Sequence, residues 1–164
     1  AGVRAVRREL VFVLPTLEQE LDALCVMALR AGFGGVRLMA SATMTVDVAT
    51  PLAMSAATRG LQHASGTYGD AADLRAQLSG VADATVLVIV AGVDSASTMS
   101  TALLGASDAY DAAPGVLVAF LGSEALSGWD GMPASTAPYL KRVVFGSSLP
   151  LWTNSSLSSF SAAY

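Results

Sequence analysis

Thr85-Val86-Leu87-Val88-Ile89-Val90 is the most apolar strand-like stretch of the 164-residue chain, and it lies between Asp83 and Asp94. A short unbroken run of β-branched and aliphatic residues, without polar alternation, is typical of a parallel strand covered by helices on both faces. The run is much shorter than the roughly 20 apolar residues that cross a bilayer. We therefore predict a central strand of a sheet, and no membrane-spanning helix.

Other strands and helices alternate on both sides of this run. Further strands are predicted at residues 10–14, 36–46, 116–121 and 142–145. Helices are predicted from Thr16, a candidate N-cap, to Arg30, and at residues 50–60, 70–78 and 95–110 and from about 154 onward. Residues 61–69 are predicted as a loop. Alternation of strand and helix favours a doubly wound parallel sheet in an α/β domain.

The expected architecture is a single domain over residues 1–164, a three-layer αβα sandwich with a flavodoxin-like sheet. Ligands of such sheets bind at the carboxyl ends of the strands, near the point where the strand order reverses. The loops that matter for function are therefore those at residues 14–18, 40–46, 91–98 and 122–130. The last helix, about 154–164, is expected to pack on neighbouring subunits.

Composition limits the partners of this domain. Charged residues make up 13% of the chain against 53% hydrophobic residues, and the formal net charge is −4. So little charge suggests a surface covered by other subunits, in a homo-oligomer or a larger protein assembly. The acidic balance argues against nucleic acid as a partner. A single cysteine, Cys25, excludes an internal disulfide and favours a cytoplasmic or organelle-matrix location.

Few residues have the chemistry of a catalytic or metal site. His63 is the only histidine and is read as a surface residue, since spacing suggests no partner for general-base work. No set of His, Cys, Asp or Glu has the spacing of metal ligands. Several hydroxyl residues beginning with Ser95 lie at the start of a predicted helix that follows a strand, where they either cap the helix or hold an anion. The glycine-rich segment Gly32-Phe33-Gly34-Gly35 follows a predicted helix and is interpreted as its C-terminal cap.

One motif resembles a known family. Ser123-Glu124-Ala125-Leu126-Ser127-Gly128-Trp129-Asp130 is similar to the S-x-A-L-x-G-x-D substrate loop of the carboxyaminoimidazole ribonucleotide mutase and aminoimidazole ribonucleotide carboxylase family of purine biosynthesis. The order of elements agrees over nearly the whole chain. The resemblance implies a nucleotide-like small molecule as ligand, with these substrate-binding residues: Glu18, Ser41, Gly92, Ser123, Ala125, Leu126, Gly128 and Asp130.

The chain differs from that family at the positions of the family's catalytic residues. In Ser41-Ala42-Thr43-Met44-Thr45, Thr43 stands in place of the family's proton-shuttling histidine and Met44 in place of an arginine. A threonine hydroxyl does not titrate near neutral pH and cannot both give and take a proton. We therefore expect a catalytically inactive relative acting as a structural or assembly subunit, without catalytic residues, cofactor or metal.

Two alternatives stay open at the level of sequence. The first is an active mutase or carboxylase that uses a different base, for which Glu18, Asp94 and Asp130 are the acids at predicted strand ends. The second is a segment of a larger coat or assembly protein.

Overall fold

The computed structural model describes residues 16–121 and 143–146, and these residues form helices on both sides of a parallel sheet. The helices are α1 (Leu17–Arg30), α2 (Ala49–Thr58), α3 (Ala71–Ser79) and α4 (Ala96–Ala112). The strands are β1 (Gly35–Ser41), β2 (Gln62–Tyr68), β3 (Val86–Ala91), β4 (Leu117–Leu121) and β5 (Val143–Gly146).

Strand β3 lies at the centre of the sheet, as its apolar sequence predicts. The strand order is β2-β1-β3-β4-β5, and every neighbouring pair is parallel. Leu87 and Ile89 are fully buried in one cluster with residues of α1 and α2, while Val88 and Val90 are fully buried in another with residues of α3 and α4. The predicted three-layer α/β class is therefore confirmed, and the order is that of flavodoxin-like sheets.

The predicted starts of α1, α3 and α4 are confirmed, and a side-chain hydrogen bond caps each of them. Helix α2 begins at Ala49 without such a cap. The Thr16 hydroxyl accepts from the amide of Gln19, whose side chain in turn accepts from the Thr16 amide, in a capping box before α1. Asp70 caps α3 through the amide of Asp73, at 2.8 Å, and Ser95 caps α4.

The prediction of a loop at residues 61–69 is wrong, since Gln62–Tyr68 forms the edge strand β2. Six of its seven residues are exposed, and only Tyr68 is buried. A polar, exposed strand has neither the apolar run nor the alternation by which strands are recognised in sequence. Strand β1 is shorter than the predicted 36–46, because the chain turns at Ser41, whose carbonyl accepts from the amide of Met44 at 3.0 Å.

Some predictions fall outside the described residues. These are the strand at residues 10–14, the helix at about 154–164, and with them the extent of the domain over 1–164. Among the helices that the structure does describe, none is long and apolar enough to cross a bilayer.

Candidate functional site

The carboxyl ends of β1 and β3 meet at Ser41 and Gly92, two of the predicted site residues. Gly92 has a φ of +82°, and a Cβ atom built on it would lie 2.5 Å from the Cβ of Ser41 and 3.2 Å from its amide nitrogen. A side chain at position 92 would be strained by its backbone conformation and would collide with Ser41. This glycine therefore lets the β3 turn approach the β1 turn. The contact lies where the strand order reverses, at the ligand edge of such a sheet.

Hydroxyl groups line the turn that follows β1. The Oγ of Ser41 lies 2.9 Å from the Oγ1 of Thr43 and accepts from the Thr43 amide at 3.3 Å. Thr43 is exposed at this turn, in the position where the family resemblance places a histidine. The pair offers hydrogen-bond donors and acceptors, and no group that titrates near neutral pH.

A pocket of about 260 Å³ opens beside this turn, between the end of β1, the segment before α2 and strand β2. Its polar side comes from the hydroxyls of Ser41, Ser65 and Thr67, and Met44 and Val46 form part of its apolar side. Among the described residues that line it, none is an arginine, lysine or histidine. This described lining therefore offers a phosphate group no cationic partner.

Asp47 is the only ionisable residue among the described residues of that lining, and hydrogen bonds at the start of α2 stabilise its charged form. Its Oδ1 accepts from the Thr50 amide at 3.1 Å. Hydrogen bonding from the Thr50 side chain, then from the Thr50 and Ala49 amides, holds the pKa of Asp47 below its ordinary value. Asp47 is therefore a carboxylate throughout the neutral range, where it cannot act as a general acid.

The side chain of Tyr68 bridges two strand ends at this edge of the sheet. Its hydroxyl donates to the carbonyl oxygen of Ala91 at 2.9 Å in a buried contact, although β1 lies between the two strands. The bond connects the carboxyl end of β2 to that of β3 across the end of β1.

Hydroxyls at the start of α4 are used within the helix cap. The Thr98 amide donates to Ser95 Oγ at 3.2 Å, and Thr98 Oγ1 lies 2.9 Å from that oxygen and donates to Asp94 Oδ1 at 3.3 Å. Of the two readings of this segment, the structure supports the cap.

Glu18 lies apart from Ser41 and Gly92. It is in the first turn of α1 and lines a groove of about 560 Å³ between α1 and α2. In this groove Arg59 bonds Asp22 at 2.7 Å and the Ser55 hydroxyl at 2.9 Å, and that hydroxyl donates to Asp22 at 2.7 Å. The groove thus holds a paired charge network, and its lining does not include Ser41 or Gly92.

His63 and Cys25 do not contribute to the pocket. His63 is exposed near the amino end of β2, at the opposite end of the strand from Tyr68, so the surface reading is confirmed although the residue lies in a strand. Cys25 is fully buried in α1, and that burial raises the pKa of its thiol. Within residues 16–121 and 143–146 there is no group of three or more His, Cys, Asp or Glu placed to hold a metal ion.

The other five predicted site residues, Ser123, Ala125, Leu126, Gly128 and Asp130, lie outside the described residues. Ser65 and Thr67 were not among the predicted site residues, because residues 61–69 were predicted as a loop. The usable signal was Thr67-Tyr68, residues that favour strands, placed between a helix ending near Gly60 and a helix cap at Asp70.

Comparison with known proteins supports the fold. No family model and no curated protein matches the sequence. Among solved structures, the chain is similar to an extracellular ligand-binding receptor from Verminephrobacter eiseniae, with a TM-score of 0.59 and 14% sequence identity. The alignment covers 99% of this chain and 46% of the receptor. The chain therefore spans about half the length of that structure, and at this identity the likeness establishes only the fold.

Proposed function

We propose that this chain is a ligand-binding α/β lobe without catalytic activity of its own. The observation that carries the proposal is the pocket at the carboxyl end of β1, whose described residues combine hydroxyls, one carboxylate and apolar side chains and include no cationic or imidazole group. Such a surface can hold and orient a small molecule, and its described residues offer no acid and base pair that would transform it.

The likeness to the bacterial receptor fits this proposal. That protein is a ligand-binding receptor, and the alignment with this chain covers 46% of its length. We infer that a second lobe, from outside this chain, completes the cleft over the pocket. The cytoplasmic or organelle-matrix location that Cys25 favours remains a prediction. The receptor, by contrast, is described as extracellular.

Ligand binding can be tested by thermal-shift screening of a panel of small metabolites grouped as neutral, ammonium-bearing and phosphate-bearing. We expect stabilisation by members of the first two groups. Ala42→Trp would fill the mouth of the pocket and abolish the shift, whereas Ala23→Trp, exposed in the separate α1–α2 groove, would leave it intact. Hits confined to phosphate-bearing compounds, or equal binding by Ala42→Trp, would contradict the proposal.

A second proposal follows from the family resemblance: an inactive relative of the aminoimidazole ribonucleotide carboxylase and mutase family, acting as a structural or assembly subunit. The placement of Thr43 beside Ser41 favours it, because the turn holds a hydroxyl where that chemistry needs an imidazole. Purified protein incubated with carboxyaminoimidazole ribonucleotide should leave it unchanged. Conversion at an enzymatic rate would instead support the active mutase or carboxylase, and binding without conversion would support the inactive relative over the receptor lobe.

A further inference from the structure

Strand β2 has an unusual surface for the edge of a parallel sheet. Its side chains are exposed on both faces at residues 62–67, so the flanking helices leave this edge uncovered within the described structure. The strand contains no charged residue and no proline. Proteins usually prevent an edge strand from pairing with another strand by placing charged residues or proline on it, or by covering it. Within residues 16–121 and 143–146, the outward side of β2 has none of these protections apart from the Gln77 side chain, which bonds the Thr67 carbonyl.

The backbone of β2 has a regular set of outward-facing groups. The Gln62 amide donates to the Gly34 carbonyl and the Tyr68 carbonyl accepts from the Ala42 amide, which places the inward-facing positions at 62, 64, 66 and 68. His63, Ser65 and Thr67 therefore direct their amides and carbonyls away from β1. The Thr67 carbonyl accepts from the Gln77 side chain at 3.1 Å, and it retains a second lone pair.

We propose that two copies of this chain associate by antiparallel pairing of their β2 strands about a two-fold axis at Ser65. This register places Ser65 of one copy opposite Ser65 of the other and His63 opposite Thr67. Each of these is a hydrogen-bonded pair, so every outward-facing amide and carbonyl from 63 to 67 obtains a partner. The two sheets become one continuous sheet through an isologous interface.

The chemistry of the strand favours a second copy as its partner. Two uncharged strands approach without like-charge repulsion, and the small side chains at Ala64, Ser65 and Gly66 leave room on both faces. The two Ser65 hydroxyls lie on one face, where opposed serines can hydrogen-bond.

Sedimentation velocity over a micromolar to millimolar series tests the proposal. We expect a reversible monomer–dimer equilibrium for the native chain. Ser65→Lys and Ser65→Glu each place like charges opposite one another and should raise the dimer Kd on the order of fivefold. An equimolar mixture of these two variants should restore dimerisation as a heterodimer. Met54→Lys, on an exposed helical surface away from the edge, is the matched control and should dimerise like the native chain.

Amide hydrogen exchange gives an independent readout of the register. The amides of His63, Ser65 and Thr67 should become protected as concentration rises, while those of Ala64 and Gly66, bonded to β1, should be protected in monomer and dimer alike. A native chain that stays monomeric through the series, a dimer unaffected by both Ser65 substitutions, or a mixture of the two variants that fails to pair would each overturn the proposal.

Discussion

Replacing Gly92 with alanine tests the close approach of the turn after β3 to Ser41 at the end of β1. Two costs are expected. An L-residue held at a φ of +82° costs about 1–2 kcal/mol, and the collision of its Cβ with Ser41, at 2.5 Å, forces the turns apart at a further cost of about 1–3 kcal/mol. Gly92→Ala should therefore lower the free energy of unfolding by about 2–5 kcal/mol.

Gly32→Ala is the matched control, because Gly32 has a similar φ of +85° and no atom of the described residues lies within 4 Å of a Cβ placed there. Its cost should be the backbone component alone, about 1–2 kcal/mol. With a urea dependence of about 2 kcal/mol per M, the unfolding midpoint followed by circular dichroism should fall by about 1–2.5 M for Gly92→Ala and about 0.5–1 M for Gly32→Ala. Equal shifts for the two variants would refute the contact with Ser41.

Three further predictions concern the core and two side chains. Ile89→Ala, at a fully buried site of the central strand, should cost about 2–5 kcal/mol by urea titration, whereas Val46→Ala, 57% exposed, should cost less than about 0.5 kcal/mol. The Cys25 thiol, whose pKa is raised by burial, should react with a chromogenic disulfide reagent only as fast as the protein opens; rapid labelling of the native state would show that it is accessible. A hydrogen bond from the Gln77 side chain lowers the pKa of Asp73 below its ordinary value of 3.8, so the ionised Asp73 stabilises the fold above about pH 4 and this stabilisation is lost as the pH falls through the folded-state pKa. The difference in urea midpoint between the native and Asp73→Asn proteins should therefore shrink over that acid range. A difference that does not change with pH would contradict this.

The sequence predicts those parts of the fold that are set by local chemistry or by burial. The central strand is apparent in residues 85–90 because both of its faces are covered, and the starts of α1, α3 and α4 are apparent because Thr16, Asp70 and Ser95 bond to nearby amides. Strand β2 could not be recognised in the same way. Its pairing with β1 is non-local, and its exposed side chains carry no hydrophobic pattern.

The candidate site was predictable only in part, for a related reason. Ser41 and Gly92 follow buried strands, so their meeting at one edge of the sheet follows from the parallel topology. Glu18 was placed at that edge by its resemblance to a family turn, whereas the structure puts it in the first turn of α1, facing a different groove. Ser65 and Thr67 reach the pocket only through the pairing of β2 with β1.

The hydroxyl of Tyr68, bonded to Ala91 over the end of β1, has a consequence for the edge strand. Six of the seven residues of β2 are exposed, so the buried side chain of Tyr68 anchors the carboxyl end of this strand to the core of the sheet. Tyr68→Phe keeps the ring and removes that bond. It should therefore lower the free energy of unfolding by about 0.5–1.5 kcal/mol in a urea titration, and an unchanged midpoint would show that the bond does not stabilise the fold.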